Sequence, residues 1–172
     1  ELWLTIQGFV RSTSLFHTTT PELLASGAGG LFATAPLKAM PAFFEAGDLQ
    51  VEQFFATSKD GTKVPYFQLS KKALKLDGSN ITLLYGYGGF EISLTPLYSG
   101  SRGAAWLEKG GVWIESNIRG GGEYGPRWHQ AALKENRCKA YEDFEAVAED
   151  LLARGVTCRE KLGIQGGSNG GL

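Results

Sequence analysis

The chain has 172 residues, 42% of them hydrophobic, as expected for a globular protein of one domain or of one domain with part of another. Its 17 basic and 18 acidic side chains give a net charge of −1, which argues against a nucleic-acid or anionic-membrane partner, because both require a basic surface. No apolar run reaches the length of a transmembrane helix. The two cysteines, Cys138 and Cys158, lack the spacing of a disulfide framework or a zinc site, so we expect two buried or inert thiols, no metal and no cofactor.

The first 45 residues are predicted to form short β-strands and loops. The stretches "LWLTIQGF", "STSLFHTTT" and "GGLFATAP" show no 3.6-residue period, so no helix is expected there. So short a segment buries too little apolar surface to fold alone, and we expect it to be the end of a larger β structure. The chain starts at Glu1 without the pattern of a signal peptide. We therefore expect an internal start and a cytoplasmic location, with the bacterial periplasm as the alternative.

The residues after Asp48 carry the pattern of a β-hairpin. The runs "QVEQFFATS" and "KVPYFQLS" flank the segment "KDGT", which places Asp60-Gly61 in the turn.

The remainder of the chain alternates apolar strands with helices. The runs "ITLLYGYGG", "GVWIESNIRGGGEYG" and "EKLGIQGG" begin as buried parallel strands. Two helices are predicted between them, "YSGSRGAAWLEKGG" ending at Gly110 and "KAYEDFEAVAEDLLARG" ending at Gly155. Strand, helix, strand, helix, strand indicates right-handed βαβ units, and hence an α/β fold.

Several polar residues are assigned structural roles. The acidic residues of the last helix are expected to form its solvated face: Glu142, Asp143, Glu145, Glu149 and Asp150. Residues of the glycine-rich loop, Arg119, Glu123 and Tyr124, are expected to order that loop, and His129 to be structural at a helix start. The loop lacks G-K-[ST], and G-x-G-x-x-G does not occur in register before a helix, so nucleotide binding is not expected.

The most informative motif is "GIQGGSNGGL" at residues 163–172, which contains G-x-S-x-G around Ser168. In a nucleophile elbow, a strand turns abruptly into a helix and holds the serine at positive φ. Glycine is needed two positions to either side, because a Cβ there would collide with neighbouring backbone. The bare pattern arises easily in a glycine-rich chain, so a simple glycine-rich turn is the alternative.

Four segments together resemble the catalytic domain of the prolyl oligopeptidase family, serine peptidases with an α/β-hydrolase fold. They are "ATSKDGTKVPYF" (56–67), "LLYGYGGFEISLTPLYS" (83–99), "NIRGGGEYGPRWH" (117–129) and "GGSNGGL" (166–172). The resemblance implies that residues 46–172 are the first part of an α/β-hydrolase domain, cut after the elbow. Residues 1–45 would then be the end of the family's β-propeller.

The resemblance also implies a function and a set of site residues. The reaction would be hydrolysis of short peptides on the carboxyl side of proline through an acyl-enzyme. Such peptides would be the binding partners, and the complete protein would be a monomer. Ser168 would be the nucleophile, and the Asn169 backbone N–H and Tyr87 hydroxyl would stabilise the oxyanion. Phe90 would line the pocket for the proline ring. The alternative for Tyr85, Tyr87 and Phe90 is packing at a strand end.

A serine nucleophile requires a general base and an orienting carboxylate, and in α/β-hydrolases both follow the serine. His17 and His129 both precede Ser168, so this chain alone is expected to be inactive and to be part of a longer protein. Alternative functions are an oligopeptidase B-like peptidase, an esterase, or a non-catalytic binding module of the same fold.

Overall fold

The N-terminal region forms a small antiparallel sheet. The computed structural model describes residues 1–25 and 35–172. Its first sheet has the order β1-β2-β3, with β1 at Leu2–Gly8, β2 at Arg11–Thr18 and β3 at Lys38–Ala39. The first two predicted strands are therefore confirmed. Of the third predicted stretch, "GGLFATAP", residues 29–34 lie outside the described residues.

The expectation that residues 1–45 contain no helix is wrong for residues 20–25, which are helical (α1). A reciprocal capping box explains this local exception. The Glu22 carboxylate accepts hydrogen bonds from the Thr19 backbone N–H and hydroxyl, both at 2.9 Å. The Glu22 N–H in turn lies 3.4 Å from the Thr19 hydroxyl oxygen.

The second sheet has five strands in the order β4-β5-β7-β6-β8. The strands are β4 (Leu49–Thr57), β5 (Lys63–Lys71), β6 (Thr82–Gly86), β7 (Val112–Ser116) and β8 (Leu162–Gln165). The predicted hairpin is confirmed as β4-β5, and Gly61 in its turn has a φ of 85°. The predicted parallel arrangement is confirmed as well, because β6 pairs in parallel with both β7 and β8. The hairpin joins β7 antiparallel, so the sheet is mixed.

Helices cover both faces of this sheet. The predicted helix before Gly110 is reduced to α2 (Gly100–Arg102) and a π-helical turn at Gly103–Leu107, in keeping with the low helix propensity of glycine. A short helix, α3, spans Pro126–Gln130, and the long amphipathic helix, α4, spans Cys138–Ala153. Gly155, with a φ of 70°, follows α4 as predicted. Short 3-10 turns occur at Lys134–Asn136, Arg159–Lys161 and Ser168–Gly171.

The core lies in two layers on opposite faces of the five-stranded sheet. On one face, Val147 and Leu151 of α4 pack against strand residues such as Leu84 and Ile114, all fully buried. On the other face, Leu107 packs in a cluster with Leu69, Trp113, Phe44 and Phe9. Phe9 comes from the turn between β1 and β2, so the small sheet contacts the second core. Truncation of such a side chain to alanine costs about 2–5 kcal/mol.

Two expectations about polar side chains are wrong. Asp143 is fully buried rather than part of a solvated helix face, because Arg119 pairs with it from the loop after β7. Asp150 is half-buried and accepts a hydrogen bond from the Tyr66 hydroxyl. Of the expectation that the thiols are buried or inert, only burial is wrong, since Cys138 is exposed and Cys158 is half-buried.

The proposed boundary between residues 45 and 46 falls in the segment that connects the two sheets. Assignment of residues 1–45 to a β-propeller stays a prediction. Within residues 1–25 and 35–172, no helix combines the length and the apolar character that crossing a bilayer requires.

Candidate active site

Ser168 is the first residue of the 3-10 turn at Ser168–Gly171, which follows β8 in a tight bend. Its φ is 53°, in the left-handed region that a residue with a Cβ adopts at a cost of about 1–3 kcal/mol. The residue is exposed to solvent. The predicted conformation is therefore confirmed: a strand ends, one strained serine follows, and a helical turn begins. This backbone is typical of a nucleophile elbow.

The two glycines of the motif are required by close backbone approach. A Cβ built on Gly166 would lie 1.7 Å from the carbonyl oxygen of Gly170. A Cβ built on Gly170 would lie 2.4 Å from the carbonyl oxygen of Gly86, at the end of β6. Because real Cβ atoms do not approach other atoms so closely, any larger residue would force the bend open. The predicted steric reason for G-x-S-x-G is confirmed.

Tyr87 lies beside this bend because β6 and β8 are parallel neighbours. Their pairing ends at Tyr85 and Gln165, and the chain continues from these positions to Tyr87 and Ser168. The carboxyl ends of neighbouring parallel strands meet at one edge of a sheet, where ligands of α/β proteins bind. Tyr87 is half-buried. The Asn169 side-chain amide donates a hydrogen bond of 2.8 Å to the carbonyl oxygen of Tyr87 and thereby connects the two segments directly.

The segment that follows Tyr87 is strained and presents an aromatic ring to solvent. Phe90 and Glu91 have φ values of 53° and 55°, both in the left-handed region. Two such residues in succession persist only where the surroundings impose the conformation. The Phe90 side chain is 73% exposed, so packing at a strand end does not describe it. Packing does describe Tyr85, whose ring stacks on Trp113 with the ring centroids 5.6 Å apart.

The glycine-rich loop after β7 packs against the strained segment that contains Phe90 and Glu91. The Glu91 N–H donates to the Gly120 carbonyl oxygen at 3.3 Å, and a Cβ on Gly120 would collide with the carbonyl oxygen of Gly88. Nδ1 of His129 lies 2.6 Å from the same Gly120 oxygen, as expected for a structural histidine. Arg137 donates from Nη1 to the Gly88 carbonyl oxygen.

Arg119 anchors the glycine-rich loop in the protein interior. Its side chain is 4% exposed and forms a two-point pair with Asp143, from Nε at 2.9 Å and from Nη2 at 2.6 Å. The Arg119 backbone N–H also donates to Asp143 at 2.9 Å. On the other side, Arg119 pairs with Asp60 in the hairpin turn at 2.5 Å. These hydrogen bonds raise the pKa of Arg119 and hold the pKa of Asp60 well below its usual range.

Glu123 and Asn117 hold the chain shortly after segment 87–91, at Leu94. The Glu123 carboxylate accepts a hydrogen bond of 2.9 Å from the Leu94 N–H, and Asn117 donates to the Leu94 carbonyl oxygen at 3.0 Å. The expectation that polar residues order the glycine-rich loop is therefore confirmed for Arg119 and Glu123, and for Tyr124 it stays a prediction.

Two cavities flank the candidate site on opposite faces of the sheet. The larger, about 550 Å³, is bounded by Tyr87, Asn169 and Arg137 on the α4 side. The second, about 460 Å³, is bounded by Tyr85, Arg102 and Glu115. Burial raises the pKa of Glu115, although the neighbouring Arg102 opposes the shift. Ser168 and Phe90 line neither of these two cavities, and the assignment of Phe90 to a proline pocket stays a prediction.

The histidines of this chain take up other contacts. His17 packs against Trp3 in the small sheet, and His129 is held at Gly120 as described. Neither forms a hydrogen bond with Ser168 within the described ranges.

Sequence reasoning missed two side chains that organise the site. Arg137 precedes α4 without any motif, and its approach to Gly88 depends on how α4 packs on the sheet. Asn169 was considered only for its backbone N–H, although the contact of its amide with Tyr87 joins positions 82 residues apart. No local sequence signal predicts either contact.

The chain is similar in sequence to known serine peptidases. The sequence model of the prolyl oligopeptidase family matches residues 98–172. An uncharacterized peptidase, y4nA, of Sinorhizobium fredii is 52% identical over all 172 residues, which cover 22% of that protein. The prolyl endopeptidase of Elizabethkingia miricola is 39% identical over the whole chain, which covers 23% of that protein.

A solved structure shares the fold. The post-proline cleaving enzyme from Rickettsia typhi superposes with a TM-score of 0.83 at 38% identity, over 99% of this chain and 23% of that one. The chain thus spans less than a quarter of the length of each of these relatives.

Proposed function

Since this chain belongs to the prolyl oligopeptidase family of serine peptidases, we propose that it carries the nucleophile and oxyanion site of an endopeptidase that cleaves short peptides after proline. The observation that supports this most directly is the strained, exposed Ser168 in a bend that the Asn169 amide joins to Tyr87. Two relatives are named for prolyl or post-proline cleavage. Strain at an exposed serine has no evident use in a binding module.

The proposed reaction proceeds through an acyl-enzyme. The Ser168 hydroxyl oxygen attacks the carbonyl carbon of the proline residue itself, while a general base takes the hydroxyl proton. The negative charge that develops on the carbonyl oxygen is stabilised by the Asn169 backbone N–H and the Tyr87 hydroxyl. The C–N bond then breaks, and the amine leaves with the proton. Water hydrolyses the acyl-enzyme by the same steps in reverse and restores Ser168.

The two oxyanion donors suit this task chemically. A phenol hydroxyl donates a hydrogen bond without bringing a competing charge. A backbone N–H near the start of a helical turn is preoriented, so little reorganisation is needed when the charge develops. Exposed Phe90, held close to Tyr87 along the chain, offers an aromatic face to the proline ring.

The proposal requires two further groups, a histidine as general base and a carboxylate that orients it. In the α/β-hydrolase order both follow the serine. We therefore propose that they belong to a longer polypeptide and that residues 1–172 by themselves do not turn over peptides. Residues 1–45 would contribute to a propeller and residues 46–172 to the hydrolase domain.

The test uses the complete protein and a fluorophosphonate probe, which reacts with activated serines. We expect labelling of the wild type and its loss in Ser168→Ala. Chromogenic peptides that end in proline or in arginine then identify the specificity, and we expect only the proline peptide to be cleaved. Absence of labelling in the wild type would favour a binding module. Cleavage of the arginine peptide would favour an oligopeptidase B-like enzyme.

A further inference from the structure

The two proposed oxyanion donors stand on different parts of the chain, and the sheet alone does not fix their separation. Tyr87 follows β6, and Asn169 lies in the turn after β8. The ladder between these strands ends at Tyr85 and Gln165. Beyond that point the relative position of the donors depends on contacts between the two loops. A donor displaced by about 1 Å can lower a rate by about 10²-fold.

One side chain bridges this gap. Nδ2 of Asn169 donates to the carbonyl oxygen of Tyr87 at 2.8 Å, within the normal range for an N–H···O bond. Gly89 makes room for the amide, because a Cβ at Gly89 would lie in direct collision with the Asn169 side chain. The fit is therefore built from both sides: a short polar side chain on the elbow, and a residue without a side chain opposite it.

The next carbonyl along the segment is held from another direction. Arg137, which precedes α4, donates from Nη1 to the Gly88 oxygen. Two consecutive peptide planes after Tyr87 are thus fixed by side chains from two different elements. This restrains the backbone torsions that aim the tyrosine ring, in a segment whose left-handed residues require such restraint.

We propose that Asn169 acts twice, and that its side-chain amide is a positioning group that holds Tyr87 in register with Ser168 for catalysis. The inference rests on the proposed function, because it assumes that the Tyr87 hydroxyl binds the oxyanion. The backbone N–H of Asn169 is a separate donor and survives any substitution of the side chain. Replacement of the amide therefore tests the positioning role alone.

The experiment is a double-mutant cycle between Asn169→Ala and Tyr87→Phe in the complete protein. The readout is kcat on a proline peptide and on an activated p-nitrophenyl ester, since both substrates develop an oxyanion. In the wild type, removal of the tyrosine hydroxyl should lower kcat by roughly 10²–10³-fold, as for one oxyanion donor. In Asn169→Ala the same change should lower kcat by less than roughly 10-fold, because the hydroxyl is already out of position.

A matched control is available at the other end of β6. The Asn80 amide also donates to two backbone carbonyls, those of Lys75 and Val156, each at 2.7 Å. Asn80→Ala removes comparable hydrogen bonds far from the candidate site. It should lower the unfolding midpoint without changing kcat, and Tyr87→Phe should have its full effect in that background. If Asn169→Ala does not fold, Asn169→Leu retains a similar shape without the amide donor or a new charge and enters the same cycle.

The outcomes separate this inference from the function on which it rests. If Tyr87→Phe lowers kcat equally in the wild-type and Asn169→Ala backgrounds, the positioning role is overturned while the peptidase stands. If the wild type cleaves the ester through Ser168 but not the proline peptide, the substrate proposal fails, and the ester cycle still decides the role of Asn169. If ester cleavage persists unchanged in Ser168→Ala, both proposals are overturned.

Discussion

Substitution of Gly166 by alanine tests the elbow geometry most directly. The added Cβ would lie 1.7 Å from the Gly170 carbonyl oxygen, whereas real Cβ contacts begin at about 3.0 Å. The bend must therefore open by about 1.3 Å between these two positions. Because the obstacle is backbone and not the end of a flexible side chain, the movement is transmitted to Ser168 and Asn169, which lie between them.

The expected result is a large loss of serine reactivity. Misplacing a reacting group by about 1 Å lowers the reaction rate by about 10²-fold. The second-order rate constant for fluorophosphonate labelling of the complete protein should therefore fall by at least roughly that factor. Gly167→Ala is the matched control, since nothing lies within 4 Å of its Cβ position and its φ of −118° suits any residue. Gly167→Ala should label within a few-fold of the wild type.

The comparison between the two alanine variants is the decisive one. Equal labelling of Gly166→Ala and Gly167→Ala would refute the steric account of the bend, whatever the identity of the nucleophile. Circular dichroism and the unfolding midpoint of each variant establish that the compared proteins are folded.

Three further predictions concern the surroundings of the bend. Tyr87→Phe should lower kcat by roughly 10²–10³-fold in a steady-state peptide assay, and unchanged turnover would remove the hydroxyl from the reaction. Asp143→Ala should lower the free energy of unfolding by about 3–5 kcal/mol in urea titrations, because it leaves the Arg119 cation buried without its main partner. Glu145→Ala, which breaks an exposed pair, should cost less than about 1 kcal/mol, and a similar loss for both would contradict the role of burial. The lowered pKa of Asp60 means that its carboxylate stabilises the folded state above about pH 4, an effect lost as pH falls through the lowered pKa. Asp60→Asn should therefore show a smaller fall in unfolding midpoint than the wild type between pH 7 and pH 3, and an identical fall would count against this pairing.

Local patterns predicted the framework of the five-stranded sheet well. The hairpin with Gly61 in its turn, the parallel strands β6, β7 and β8, and helix α4 ending before Gly155 all follow from short-range signals. Such signals succeed because turn geometry and the period of apolar residues depend on neighbours in sequence. They fail where the apolar residues show no helical period, as in residues 20–25, because a capping box stabilises a short helix there.

Charged residues were predicted less well, because their environment depends on distant partners. Asp143 has the helical position of a surface residue, yet it is fully buried, since Arg119 arrives from a loop 24 residues earlier in the chain. A pattern of charges along one helix contains no information about which loop will pack on it. A buried aspartate is tolerated only when such a partner satisfies it, and that partner is visible only in the fold.

For the candidate site, the amino-acid sequence by itself determined the bend. Glycine is needed two residues to either side of Ser168, because a Cβ there would collide with backbone in the bend or in β6, the strand beside it. The motif and the conformation therefore imply each other. Only the tertiary structure decided what stands around the bend: the Asn169 amide on Tyr87, Arg137 on Gly88, and the exposed ring of Phe90. These contacts join residues 49 to 82 positions apart, and their geometry is set by how strands and helices pack, which no local pattern encodes.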